Sequence, residues 1–355
     1  MLRIAYSTRL LVVGAVVVLV FVLALVGQSV VSPTTIDQPP PPIRTIVTAN
    51  SLMATTSSPG RVLFTGDIML GRDVERRNRR DGMGTSLAVL QAFSEYDAIV
   101  INLEAPIPDQ HVPTPDFGMR FSIHRDFAPL LAAAGVTHVG LANNHTLDHG
   151  PAGYNATRMT LKEYGLKPFG HPTSIDEVLS LATFTVGDHE VAVLGVHVLF
   201  TPLDIGAVTE LITSLPVDTL VVAYIHWGEE YQLRHSAAQR RQAEALVTSG
   251  VDIIIGHHPH VTQGIEMIDG VPVVYSLGNI IFDQYFSNDV QVGLLLSMVL
   301  DGDTRALELI PITSIGSPTI PRLMDEAERE IFLADVARRS ETGIRADIQS
   351  GRITW

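Results

Sequence analysis

Five stretches of this chain place metal-competent or proton-carrying side chains just after an apolar run. They are Gly66-Asp67, Asn102-Leu103-Glu104, Asn143-Asn144-His145 with Asp148, His226, and His258-Pro259-His260. Carboxylate, amide oxygen and imidazole in one set suit Mn²⁺, Fe²⁺ or Zn²⁺. One or two such divalent ions, set a few ångströms apart, clamp a phosphate ester and activate a water. A carboxylate such as Glu104 is suited to bridge them, and a neighbouring histidine such as His145 to protonate the leaving oxygen.

Each stretch taken singly has an ordinary structural explanation. Asp67 and the Asn143 to Asp148 turn read as helix caps. Glu104 before Ala105-Pro106 reads as a solvated turn residue, His226 beside Trp227 as a satisfied semi-buried histidine, and His258-Pro259-His260 as a turn. The uniformity of the set favours a metal site. The chain has no cysteine, so thiolate ligands, disulfides and a cysteine nucleophile are excluded. No P-loop and no Gly-x-Ser-x-Gly elbow is present.

The elements that must position these residues follow from the apolar runs. Val62 to Thr65, Ala98 to Ile101, Val136 to Leu141, Leu220 to Ile225, Val251 to Ile255 and Val271 to Ser276 read as buried strands. Leu179 to Val186 and Val191 to Val198, joined at Gly187-Asp188, read as a hairpin. Val292 to Leu300 and Ala306 to Ile312 read as late strands. Helical spacing covers Asp73 to Arg80, Ser86 to Phe93, Phe127 to Ala134, Tyr154 to Tyr164, Ser236 to Ser249 and Glu326 to Arg339. Alternating strands and helices followed by hairpins predict one mixed α/β sandwich, two sheets flanked by helices. Ligands of such folds collect where strands end.

The N-terminus speaks to location. Residues 1–9 carry Arg3 and Arg9. Residues 10–31 are apolar apart from Gly14, Gly27, Gln28 and Ser29, long enough to cross a bilayer. The positive-inside rule then predicts a single-pass anchor in the cell membrane with the remainder extracytoplasmic. The competing reading is a cleaved signal peptide, for which Leu25-Val26-Gly27-Gln28 is a poor site. Residues 32–60, with the run Pro39 to Pro42, read as an extended spacer, and residues 61–355 as the folded domain. The net charge of −14 excludes nucleic acid as a natural partner.

Taken together, Gly66-Asp67-Ile68-Met69-Leu70-Gly71-Arg72, Asn102-Leu103-Glu104, Ala142-Asn143-Asn144-His145, His226-Trp227-Gly228-Glu229-Glu230-Tyr231, Gly256-His257-His258-Pro259-His260-Val261 and Ser276-Leu277-Gly278-Asn279 resemble a known family. It is the CapA-type family of capsule or poly-γ-glutamate synthesis proteins, within the calcineurin-like metallophosphoesterase superfamily. The resemblance covers roughly Arg61 to Ile312. It implies a four-layer α/β/β/α sandwich behind the transmembrane helix. It also implies that Asp67 and His260 hold a first metal, that Asn144, His226 and His258 hold a second, and that Glu104 bridges them.

His145 would be the proton donor. Arg72, Asp148, Glu230 and Asn279 match family positions behind the ligands or facing the substrate. Where the wider superfamily has a second metal-binding residue, the histidine of Asp-x-His, this chain has Met69. Ile280 stands where the family usually has Phe. The implied partners are the membrane, polymer synthase or export subunits, and an anionic polymer or phosphoester substrate. The implied role is either hydrolysis or a non-catalytic part in a polymer synthesis and export complex.

Overall fold

A computed structural model describes residues 58–355 apart from residue 116. The anchor expected at 10–31 and nearly all of the spacer lie outside the described residues. Among those described, no helix is long and apolar enough to cross a membrane.

Alternate residues of one strand reach two different cores. In β1 (Gly60–Ile68), Val62 and Phe64 join one apolar cluster while Leu63 joins another. β2 (Ala98–Leu103) repeats the pattern, with Val100 on one side and Ile99 and Ile101 on the other. A strand buried on both faces belongs to a sheet covered on both faces. β1 and β2 run parallel with β3 (His138–Gly140) and β4 (Lys167–Phe169).

The second sheet starts with the expected hairpin, β5 (Leu181–Val186) and β6 (His189–His197). It continues through β7 (Leu220–His226) and β8 (Ile253–His257). β9 (Ile265–Ile268) and β10 (Val271–Val274) complete it, in the order β5-β6-β7-β8-β10-β9. The chain then returns to the first sheet. β11 (Asn279–Ile281) pairs with β1, and β12 (Val292–Asp301) lies antiparallel to β1. β13 (Thr304–Thr313), β14 (Arg322–Leu323) and β15 (Arg352–Thr354) extend that edge.

Helices cover the outer faces. α1 (Arg72–Asp81), α2 (Phe127–Ala133) and α3 (Gly150–Glu163) set Val74, Phe127, Leu131, Tyr154 and Leu161 against Ile99, Ile101 and Val139. The short α4 (Glu177–Ser180) leads into β5. α5 (Ile205–Ser214) and α6 (Ala237–Thr248) set Val208, Leu211, Ala243 and Leu246 against Leu194, Ala223 and Ile225. α6 starts at Ser236, whose side chain and that of Gln239 cap each other's backbone N–H, the reciprocal device that fixes a helix start.

Between the sheets lie Val62, Phe64, Val100, Val193, Val222 and Ile255. α7 (Glu326–Arg339) and α8 (Arg345–Ser350) add Leu333, Val336 and Ile348 to that layer. Burying a side chain such as Phe64 is worth about 1.5–3 kcal/mol. The molecule is therefore a mixed α/β sandwich of two sheets, as the strand pattern predicts.

The structure corrects several boundaries. The helix expected at Ser86 to Phe93 is present and starts one residue earlier, as a 3-10 helix over Thr85–Phe93. The strand into Asn143 is only three residues long. β1 does not stop at Thr65 but continues through Asp67 to Ile68.

Candidate metal centre

The site begins with a break in β1. Its register against β2 shifts between Phe64 and Asp67. The Thr65 carbonyl leaves the ladder and accepts from Tyr224 Oη at 2.7 Å and from His257 Nε2 at 3.0 Å. These donors come from β7 and β8, so one carbonyl ties the two sheets together beneath the site. Gly66 permits the crossing, since a Cβ there would stand 1.9 Å from the Gly278 carbonyl oxygen. Asp67 then resumes pairing, opposite Asn102 and Asn279. His257 is thereby a cross-sheet donor, while its neighbour His258 turns into the site.

Two sets of donors meet there and share one carboxylate. Asp67, Glu104 and His260 form one, and Glu104, His226 and His258 the other. All five are buried, Asp67 and Glu104 completely. Glu104 Oε1 lies 3.6 Å from His260 Nε2 and 3.9 Å from His226 Nε2. Asp67 Oδ2 lies 3.3 Å from His260 Nδ1. The two Glu104 spacings are too long for hydrogen bonds. They are short enough for a shared ion, because two donors each about 2.1 Å from one metal stand no more than ~4.2 Å apart. Asn144 Oδ1 joins the second set, 2.9 Å from His226 Nε2.

Buried polar atoms without partners test the fit of a cation here. Glu104 Oε1, set between the two imidazoles, and His258 Nδ1 are buried with no hydrogen-bond partner. Such orphans cost roughly 1–3 kcal/mol each. Burial, and then the Asp67 charge beside it, push the Glu104 carboxyl well above the usual carboxylate range. Burial also raises Asp67, but the His260 hydrogen bond, the His260 and His257 rings and the Asn102 amide outweigh it, and Asp67 stays below that range. Burial, chiefly, holds His226 far below the ordinary imidazole value and brings His258 down to about 3. Neutral imidazole is the form that binds metal. The donor set, the spacings and the orphaned atoms all fit a divalent ion.

A polar network fixes these donors from behind. Asn102 Nδ2 donates to Asp67 Oδ1 at 2.8 Å. Asn143 Nδ2 donates to Asn102 Oδ1 at 3.0 Å and to the Leu103 carbonyl at 2.9 Å, while its own oxygen accepts from the His145 N–H and from Thr146 Oγ1. Asn279 Oδ1 sits 3.0 Å from His260 Nδ1. That leaves His260 Nε2 as the atom facing Glu104.

Over the donors opens a cavity of 420 Å³ whose walls include Arg72, Phe121, His145, Glu230, His260 and Phe282. His145 Nδ1 lies 2.9 Å from Asp148 Oδ2. The His145 ring stacks on Phe121 with centroids 3.9 Å apart, and the Arg72 guanidinium stands 4.5 Å from the same ring. Arg72 is paired with Asp283 and donates to the Gly118 carbonyl.

The structure thus brings together Asp67, Glu104, Asn144, His226, His258 and His260, with His145 at the cavity wall. Arg72, Asp148, Glu230 and Asn279 surround them. Met69 does not face the donors. It is wholly buried in the apolar layer under α1, and its Sδ accepts from the Gly71 N–H at 3.1 Å.

The sequence reading did not single out Phe121, and it gave Asn102 and Asn143 no role. Phe121 sits in a loop with no periodic pattern to mark it. Asn102 and Asn143 stand beside candidate ligands, and that adjacency was the available signal.

A family model for "Bacterial capsule synthesis protein PGA_cap" matches residues 61–284. The chain is similar to a "Capsule biosynthesis protein CapA" of Bacillus anthracis, 31% identical over 280 residues that span 71% of this chain and 67% of the relative. It is also similar to a "PGA biosynthesis protein CapA" of Bacillus subtilis (strain 168). That match is 26% identical over 309 residues and spans 82% of this chain and 81% of the relative. Among solved structures, a putative 5'-nucleotidase from Staphylococcus aureus superposes with a TM-score of 0.46 at 15% identity, covering 82% of this chain and 58% of that one.

Proposed function

The chain belongs to the bacterial capsule synthesis family PGA_cap, and from that premise we propose a metal-dependent hydrolase of a phosphoester-like bond. It acts in the synthesis or export of poly-γ-glutamate or a related capsule polymer. One observation carries the chemistry. Glu104 Oε1 is buried without a partner between two imidazole nitrogens, 3.6 and 3.9 Å away.

In this reading Asp67, Glu104 and His260 hold one ion, and Glu104, Asn144, His226 and His258 hold a second. When bound, Mn²⁺, Fe²⁺ or Zn²⁺ supplies Lewis acidity toward a phosphoryl oxygen and toward water. The protein residues do the rest. His145, oriented by Asp148 and by its stacking on Phe121, delivers a proton to the leaving oxygen. Arg72, held over Phe121, favours an anionic substrate in the cavity. The donors themselves lie buried at the base of the cavity.

The domain works outside the membrane, tethered by the apolar segment at 10–31, with a polymer synthase or export subunit as neighbour. The supports for the anchoring and orientation are the segment's length and the preceding Arg3 and Arg9.

A second reading is favoured by Met69. With its sulfur committed to Gly71, the first donor set is one ligand poorer than the second. The chain would then be a non-catalytic subunit that uses its metal for structure or for binding an anionic polymer.

Assays of the purified full chain on phosphomonoester and phosphodiester substrates, with Mn²⁺ or Zn²⁺ added, separate the two. Turnover lost in His226→Ala supports hydrolysis. Metal binding without turnover on any substrate supports the subunit.

A further inference from the structure

The first donor set needs another ligand, and the structure offers one that comes from the open side of the site. Asp67, Glu104 and His260 make three donors, against four for the second set with Asn144. Met69 contributes nothing to either. A third cluster of metal-competent atoms shares one histidine with each of these sets and adds a carboxylate that neither uses. Glu230, His258 and His260 bring one ligand atom each within 4.8 Å of one another. The Nδ1 of His258 in this cluster is buried and unpartnered.

Glu230 is not there by chance of a surface loop. It follows Gly228, whose φ of +83° suits glycine and whose Cβ would meet Gln239 at 2.7 Å. The next residue, Tyr231, adopts φ +63° and donates its N–H to the Pro259 carbonyl at 2.8 Å. Pro259 lies between the two histidines, which themselves hold φ +94° and +57°. Left-handed backbone at non-glycine residues collects where surrounding structure enforces it, commonly at functional sites. A second tie runs from Tyr231 Oη to Gln284 at 3.0 Å, from Gln284 to Asn279 at 2.9 Å, and from Asn279 to His260 at 3.0 Å. The Glu230 segment is therefore registered to the histidine turn by its backbone and by a side-chain chain.

We propose that Glu230 is a metal ligand. Its carboxylate clusters with His258 and His260, one histidine from each donor set, and through His260 it adds a fourth donor to the set of Asp67, Glu104 and His260, the one that Met69 leaves with three. The assignment rests on the metal-centre reading given above. The ligand then comes from the cavity wall, which Glu230 lines. A carboxylate in that place keeps the set to hard and borderline donors, as Mn²⁺ or Zn²⁺ requires.

The test is a Mn²⁺ titration of the full chain, counting free ion by its electron paramagnetic resonance signal. Glu230→Ala, Glu230→Gln and Glu229→Ala are compared with the wild type, with circular dichroism to confirm folding. Two ions for the wild type and for Glu229→Ala, with one site weakened at least tenfold in both Glu230 variants, supports the proposal. Two ions bound by both Glu230 variants as tightly as by the wild type overturns it and leaves the metal centre standing. A wild type that binds no Mn²⁺ overturns the metal centre and this assignment together. If the variants do not fold, the anomalous difference map of a wild-type crystal soaked in Mn²⁺ decides. A Glu230 oxygen at about 2.2 Å from an ion supports the proposal, and one beyond about 4 Å overturns it.

Discussion

His145 Nδ1 and Asp148 Oδ2 lie 2.9 Å apart, and the same carboxylate oxygen receives the Phe121 N–H at 2.6 Å. Asp148 therefore fixes which imidazole nitrogen carries its hydrogen toward the protein, and leaves Nε2 to face the cavity. The ring is held in place from two sides, and in the reading proposed above it is the proton donor.

The pairing gives a first prediction. Asp148→Asn keeps the shape but offers His145 an amide in place of a carboxylate. Turnover of a phosphodiester should fall roughly ten- to hundredfold, short of the 10²–10⁴ expected for losing the proton donor in His145→Ala. Metal content should not change in either variant. A loss of metal in Asp148→Asn would place this pair among the ligand supports and not in proton transfer.

Glu104 sets up a second prediction, about pH. Its folded-state carboxyl titrates well above its ordinary value because burial and Asp67 oppose its charge. The sign follows from linkage. Without metal, the stability it contributes is present below the ordinary glutamate value and is lost as pH rises toward the raised one. Metal-free wild type should therefore lose stability relative to Glu104→Gln as pH rises above the ordinary glutamate range. Added Zn²⁺ or Mn²⁺ should reverse the order, since the ion needs the ionised carboxylate. Urea midpoints at several pH values, with chelator and then with metal, measure this. Parallel curves for the two proteins in chelator would contradict it.

Asn143 tests the supporting network. Its amide makes four hydrogen bonds, and its side chain is completely buried. Asn143→Ala strands the Asn102 oxygen and the His145 N–H. The expected loss of stability is roughly 2–5 kcal/mol, read from chemical denaturation of the metal-free chain. A change below about 0.5 kcal/mol would show that water replaces the amide without cost.

Much of this site was legible because each ligand follows an apolar run long enough to be a buried strand. β7 ending at His226 and β8 ending at His257 are plain in the sequence, and so is the helix Glu326–Arg339. Other features were hidden for physical reasons. The extension of β1 through Asp67 depends on the Thr65 carbonyl finding donors on Tyr224 and His257, and no local pattern reports a contact to the other sheet. Two sheets were expected, but which strands join which sheet depends on the chain returning to β1 after β10, a long-range pairing.

α5 was missed although Asp204 caps it and Val208 and Leu211 mark its inner face. That signal was present but short. β4 and β15 have three residues each, too few for a period to show. Phe121 owes its importance to what stacks on it, and loops carry no such mark.

The central claim is that Glu104 joins two ions in one buried centre. The most direct measurement is elemental analysis of the full chain after equilibrium dialysis against Mn²⁺ or Zn²⁺, beside His226→Ala. The account predicts two ions per wild-type chain and one in His226→Ala. A wild-type chain that retains one ion or none at every pH between about 6 and 8 would contradict it.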